Sequence, residues 1–180
     1  MGFFITFTII AAIILLFSSK TFSPIPYFPS QPVDLPKIIR ALNLKNNQTV
    51  VDLGAGDGII IFEAAKKAYQ NKLNTQFVAV EINPILILIL HLRRVFHPNK
   101  RNIIIVLDDM FKMDLNPLTR QPVNSLTVYL YISPWHLEKT LKNIRRQISK
   151  FSVVSYMYPV KSLKNKERII RGKNSIYIYK

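Results

Sequence analysis

From Gln48 onward the 180-residue chain alternates between short, continuously apolar runs and segments of helical period. The apolar runs predict strands near 48–53, 76–81, 102–107, 125–131 and 151–157, and the intervening pattern predicts helices near 58–71, 84–96 and 135–148. Runs such as NIIIVL, apolar at successive positions, belong to strands covered on both faces. The run ILILIL after Pro84 fits neither period. There Asn83 as an N-cap, with Pro84 at the first helical position, predicts a helix. The tail ERIIRGKNSIYIYK reads as two strands joined by the turn RGKN. Strand and helix in turn predict an α/β fold: a Rossmann-like, doubly wound, mostly parallel sheet closed by an antiparallel pair.

Two segments precede this alternation. Residues 1–19 carry no charged side chain, and FFITFTIIAAIILLF at 3–17 is almost wholly apolar. A full span takes about 20 such residues, so the run sits at the short end and needs Ser18 and Ser19 to complete a crossing. A cleaved signal peptide wants basic residues before the apolar run and small residues at a cleavage site. Nothing basic precedes Phe3, and FSSKTFS is a poor match. The expectation is therefore a retained transmembrane anchor over 1–20. All 25 Lys and Arg follow it, which directs the domain to the cytoplasmic face of a membrane. Between Pro24 and Pro36 lie five of the eleven prolines, with Ile25, Tyr27 and Phe28 among them. This is an extended segment expected to pack on the domain, ahead of a short helix near 35–44. The layout is an anchor at 1–20, a proline-rich segment and short helix at 21–47, and one cofactor-binding domain at 48–180.

Charge adds a partner. Twenty-five basic residues stand against ten acidic ones, a net charge of +15. Such an excess favours an anionic surface, lipid headgroups or nucleic acid. Cysteine is absent, which excludes disulfides, thiolate metal sites and cysteine nucleophiles. His91, His97 and His136 lack metal-ligand spacing, so no metal is expected. His91 reads as a surface or boundary residue, and the run RRVFHPNKR at 93–101 as a solvated helix end and loop that could also rest on headgroups.

The candidate chemistry lies in VVDLGAGDG, Val50–Gly58, and in the acidic end of the next strand, FVAVEINP, at Glu81. A strand feeds a glycine turn that opens a helix, and one βα unit later a carboxylate stands where a ribose needs an acceptor. Gly54, Gly56 and Gly58 allow a tight turn and close backbone approach. Their G-x-G-x-G spacing, with Ile59 in place of a third fingerprint glycine, departs from the dinucleotide pattern. Asp52 and Asp57 would repel a pyrophosphate, but suit the ammonium and sulfonium of S-adenosylmethionine. Of the ten acids, Asp52, Asp57, Glu81, Asp108 and Asp109 fall at the ends of three predicted strands or just after them. Those ends converge on one crevice in a doubly wound sheet. Helix capping is the competing explanation, strongest for Asp57.

Four elements, PYFPS (26–30), VVDLGAGDG, VEINP (80–84) and DMF (109–111), follow an apolar N-terminus in this order. The arrangement resembles the small membrane-anchored protein-lysine N-methyltransferases of mitochondria and their bacterial relatives, which have the class I, seven-strand methyltransferase fold. On that resemblance, Asp52, Gly54, Gly56 and Gly58 line the methionine end of S-adenosylmethionine, Glu81 takes the ribose hydroxyls, and Asp109 sits by the adenine amino group. Both Asp52 and Glu81 are expected to be removable without loss of fold. Tyr131, Ser133 and Pro134, in VYLYISPW, orient the acceptor amine. Pro26, Tyr27 and Pro29 close over it from the N-terminal segment. Ordinary strand packing competes for Tyr129 and Tyr131. The resemblance implies a lysine of a membrane-associated protein as acceptor. The turn S-P-W is also a partial match to the [DNS]-P-P-[YFW] element of amino-methyltransferases acting on nucleic-acid bases or glutamine. With a charge of +15, a nucleic-acid substrate is the main alternative. A non-catalytic scaffold of the same fold would predict a broken glycine motif, and this one is intact.

Overall fold

The computed structural model describes residues 1–18, 28–115 and 125–180, with side chains 9 and 12–18 excepted. Helix α1, Gly2–Ser18, is 17 residues long. Among the described residues no helix is long and apolar enough to cross a membrane. Phe3, Phe4 and Phe7 on α1 nevertheless stand 80%, 76% and 65% exposed.

Seven strands form one sheet: β1 Gln48–Leu53, β2 Gln76–Glu81, β3 Ile103–Leu107, β4 Ser125–Leu130, β5 Ser152–Tyr156, β6 Glu167–Arg171 and β7 Ser175–Tyr179. Their order is β3-β2-β1-β4-β5-β7-β6. The first five run parallel, and β7 and β6 close the sheet antiparallel. Each predicted strand is present to within a residue or two. Helices α2 (Leu35–Leu42), α3 (Ile59–Gln70), α4 (Pro84–Val95) and α5 (Pro134–Gln147) complete the fold. Strand β1 is buried at all six positions, as a central parallel strand requires. The core is split by the sheet. One side holds Leu42, Ile61, Phe62, Phe77 and Leu90, and the other holds Val51, Val78, Leu130, Leu137 and Ile144. Helix α4 starts as its sequence indicates: the Asn83 Oδ1 accepts from the N–H groups of Ile85 at 2.9 Å and Leu86 at 3.4 Å, with Pro84 at the first turn.

The proline-rich segment is tied down by two buried polar contacts. Ser30 Oγ and the Tyr129 hydroxyl lie 3.0 Å apart. Asp34, fully buried, accepts from the Tyr156 hydroxyl (2.8 Å), the Asn174 N–H (2.9 Å) and the Lys173 N–H (2.7 Å). Its carboxylate thereby joins the chain's beginning to the β6–β7 turn. Burial alone would raise the Asp34 pKa, but the hydrogen bonds from Asn174, Tyr156 and Lys173 outweigh it and hold the group below the usual range. The stability it adds is therefore present above the unfolded carboxylate value of about 3.9 and is lost as pH falls through Asp34's lowered pKa.

Gly172 makes this contact possible, since a Cβ there would meet Asp34 Oδ1 at 2.0 Å. Gly172→Ala is expected to destabilise the protein by roughly 1–3 kcal/mol, the usual cost of overpacking. A thermal melt checks it, and an unchanged midpoint would show that the turn relaxes freely.

Candidate functional site

Strand order reverses between β1 and β4, so the connections from their carboxyl ends leave in opposite directions and open a crevice there. That crevice is an open cleft of about 660 Å³, part of it continuous with solvent. Its walls include Asp52, Gly54, Gly56, Asp57, Glu81, Pro29 and Tyr131. Seven residues singled out in the sequence thus share one cavity, although they span more than 100 positions. Gly58 stands just behind it as the N-cap of α3, in the left-handed region at φ 77°. A Cβ at Gly58 would meet Leu90 Cδ2 at 2.4 Å and the Phe62 ring at 2.7 Å, so only glycine fits between α3 and α4. Gly54 (φ 87°) and Gly56 (φ 58°) also occupy the left-handed region.

The carboxylates divide into three kinds. Glu81 is stitched into the backbone: Oε2 accepts from Gly56 N–H at 2.8 Å, and Oε1 accepts from Ile82 N–H at 2.8 Å and Asn83 N–H at 2.9 Å. Three of its roughly four acceptor positions are used, which leaves about one for a ligand rather than a free pair. Asp57 is paired with a cation. Arg93 Nη1 reaches its Oδ2 at 2.7 Å and its carbonyl at 2.6 Å, while its Oδ1 accepts from Ile59 N–H at 3.2 Å at the start of α3. The same guanidinium lies over the Phe62 ring at 5.1 Å.

Asp52 is the third kind, 3% exposed at the end of β1. Burial pushes its pKa well above the ordinary value, and the Glu81 and Asp57 carboxylates push it further, with no hydrogen bond to offset them. An unpaired buried carboxylate facing a cleft is poised for a cation.

The β4 side of the cleft is aromatic. Tyr129 is buried, with its hydroxyl on Ser30 Oγ. Burial raises its pKa far above the usual value, and the charge of Asp52 adds to that, so it stays a neutral phenol. Tyr131 is half-buried, edge-on to Tyr156 with centroids 4.9 Å apart, and its hydroxyl points to Met157 Sδ at 3.9 Å. Tyr129 therefore serves both as strand packing and as cleft wall.

Other predicted residues fall outside the cleft's lining. Ser133 and Pro134 begin α5 immediately after Ile132, which does line it. Asp109 precedes the lining residue Met110, but its own carboxylate accepts from Phe111 N–H at 2.9 Å and lies 3.9 Å from Lys112 Nζ. Pro26 and Tyr27 lie outside the described residues. Sequence reasoning missed Ser30 and treated Arg93 as solvated. The only signal for Arg93 was an unusually basic helix end, and its partner is 36 positions away. Arg93→Ala is expected to loosen the glycine turn and weaken ligand binding about three- to tenfold, as for a partly exposed ion pair of roughly 1 kcal/mol. Titration of the variant beside the parent protein measures it; equal affinities would make the pair incidental.

No known family model matches the chain. It is 29% identical over 99 residues to the lysine N-methyltransferase of the ATP synthase c-subunit from Caenorhabditis elegans, across 52% of this chain and 49% of that protein. The chain thus aligns with about half the length of this curated relative. Among solved structures it resembles the RNA methyltransferase from Salinibacter ruber in complex with S-adenosyl-L-homocysteine. The TM-score is 0.67 at 18% identity, covering 84% of this chain and 92% of that one. It also resembles the precorrin-6y C5,15-methyltransferase from Geobacter metallireducens GS-15, with TM-score 0.56 at 17% identity, over 84% and 90% of the two chains. The fold is that of the class I methyltransferases.

Proposed function

We propose that this chain is an S-adenosylmethionine-dependent N-methyltransferase acting on a lysine side chain of a membrane-associated protein, anchored by α1 with its domain on the cytoplasmic face. The observation that carries the cofactor assignment is the unpaired, buried Asp52 beside a left-handed glycine turn. A cationic ammonium suits this carboxylate, whereas a pyrophosphate would be repelled by it. The left-handed glycines admit close backbone approach. Bound there, S-adenosylmethionine supplies a methyl group on a positively charged sulfur.

In this reading the chain's own work is binding, orientation and exclusion of water. Asp52 holds the ammonium, and the remaining acceptor position of Glu81 takes a ribose hydroxyl. Ile82, Leu86 and Met110 wall the cleft with apolar surface. Tyr131 and the Ser30–Tyr129 pair direct the incoming nitrogen, and Phe28 and Pro29 cover it. An amine must be uncharged to act as a nucleophile, and a desolvated aromatic surface favours the uncharged form.

Lysine as acceptor is supported by the C. elegans relative's name and by the motif order PYFPS, VVDLGAGDG, VEINP, DMF. The exposed aromatic side chains of α1 and the charge of +15 support the membrane setting. The charge also favours a second reading, methylation of a nucleic-acid amine, with the single-proline S-P-W turn in its support. Incubating the full chain in detergent with methyl-labelled S-adenosylmethionine, solubilised membrane proteins and, separately, RNA decides between them. Label recovered as methyl-lysine after protein hydrolysis is the expected result. Label confined to RNA would replace lysine by a base amine, and no transfer to either would favour a scaffold.

A further inference from the structure

We propose that the outer face of α4, together with Leu107 at the sheet edge, docks onto the surface of an anionic lipid bilayer. Leu88, Leu92, Val95 and Phe96 lie four, three and one residues apart, so they share one side of the helix and its C-terminal end. They are 60%, 55%, 57% and 86% exposed. Leu86 and Leu90, on the opposite side, are buried. Apart from His91, which is exposed among Leu88, Leu92 and Val95, the helix is apolar on both faces, and the sheet covers only one. This is why ILILIL shows no clean helical period. A helix that borders water normally turns a polar face to it, and one that is apolar all round is normally enclosed. On β3, alternation places Leu107 on the same side of the sheet as Ile103 and Ile105, which pack in one cluster with Ile87 and Leu90 of α4. Leu107 is 60% exposed, and β3 is an edge strand, so it extends the apolar face.

Charge selects the occupant. From Ile82 to Leu107 there is no Asp or Glu, while Arg93, Arg94, Lys100 and Arg101 cluster around the C-terminal end of the helix. Arg93 is engaged by Asp57, whereas Lys100 and Arg101 stand exposed and Arg94 is half-buried. An apolar stripe rimmed by basic side chains is the pattern of an interfacial helix. A second copy would bring the same basic rim and another +15 charge against the first, whereas anionic headgroups neutralise it. Leu86, in the first turn of α4, lines the cleft. Docking through α4 therefore fixes the cleft relative to the bilayer, where a membrane-bound acceptor is presented. The contact uses no residue of α1 and no cleft residue for binding lipid, so it stands or falls separately from the anchor and from the acceptor.

The test uses the full chain carrying Trp135→Phe, which removes the only native indole, and Phe96→Trp, which sets one on the proposed face. The protein is reconstituted in phosphatidylcholine–phosphatidylglycerol vesicles whose acyl chains carry bromine. An interfacial helix sinks its apolar face about 5–10 Å into the acyl boundary. The indole emission is then expected to shift to the blue and to lose about half its intensity or more. Adding Leu92→Glu and Val95→Glu to the same chain should restore the emission while α1 still tethers the protein, and circular dichroism checks that the variant is folded. An indole that is not quenched in these vesicles overturns the proposal. So does a blue-shifted, unquenched indole accompanied by cross-linked dimers, which would assign the face to a second copy.

Discussion

Asp52→Asn is expected to weaken S-adenosylmethionine binding by about thirtyfold or more and, in the same protein, to raise the thermal stability of the ligand-free state. Both effects follow from one fact: Asp52 is buried, close to Glu81 and Asp57, and has no hydrogen bond to support a charge. In the ligand-free fold the negative charge is a strain, which a neutral amide of the same shape relieves. When a cation binds, the same charge becomes its partner. Removing one member of a buried charge pair costs roughly 2–5 kcal/mol, or about 30- to several-thousand-fold in affinity. Stability stored against function in this way is common at binding sites.

The pH dependence carries the same sign. The folded state holds the Asp52 proton more tightly than the unfolded chain. Between the unfolded value, about 3.9, and the raised folded value, increasing pH therefore lowers ligand-free stability. Asp52→Asn removes that decline. Affinity for the cofactor moves the other way, rising with pH until the raised pKa is passed, because the ionised carboxylate is the binding form. Calorimetric Kd values across pH, with melts of both proteins, test the pair of effects. A variant that binds as well as the parent would remove Asp52 from the site.

Glu81→Ala is expected to fail differently, losing both binding and stability. From sequence alone the two acids look equivalent, each removable without harm to the fold. The structure separates them. Glu81 satisfies three backbone N–H groups, and the bonds to Gly56 and Asn83 are buried. A buried donor left without a partner costs about 1–3 kcal/mol, so these two amount to roughly 2–6 kcal/mol. The glycine turn and the start of α4 should loosen together. Denaturant unfolding measures the loss; full stability after Glu81→Ala would show that water replaces the carboxylate at little cost.

Most of the architecture was legible because its signals are local. Apolar runs gave the strands, and Asn83-Pro84 gave the start of α4 despite its blurred period. The glycine turn was legible because three left-handed positions within five residues leave a visible mark. What could not be read was pairing at long range. Nothing in the sequence joins Asp34 to the turn at Gly172–Asn174, or Ser30 to Tyr129 across 99 positions. Arg93 looked like a solvated helix end because charge runs usually are, and only the packing of α4 against α3 brings it to Asp57. Asp109 is a further case of a local contact that the sequence did not announce. Its place after the third strand marks the right region, beside the lining residue Met110, and one of its carboxylate oxygens accepts from Phe111 N–H in the local turn.

Calorimetric titration of the full chain in detergent micelles, with S-adenosylmethionine and separately with NAD, tests the central claim most directly. A cleft built around an unpaired buried carboxylate predicts saturable heat from S-adenosylmethionine and none from NAD. Saturable binding of NAD, or of neither ligand, would contradict it.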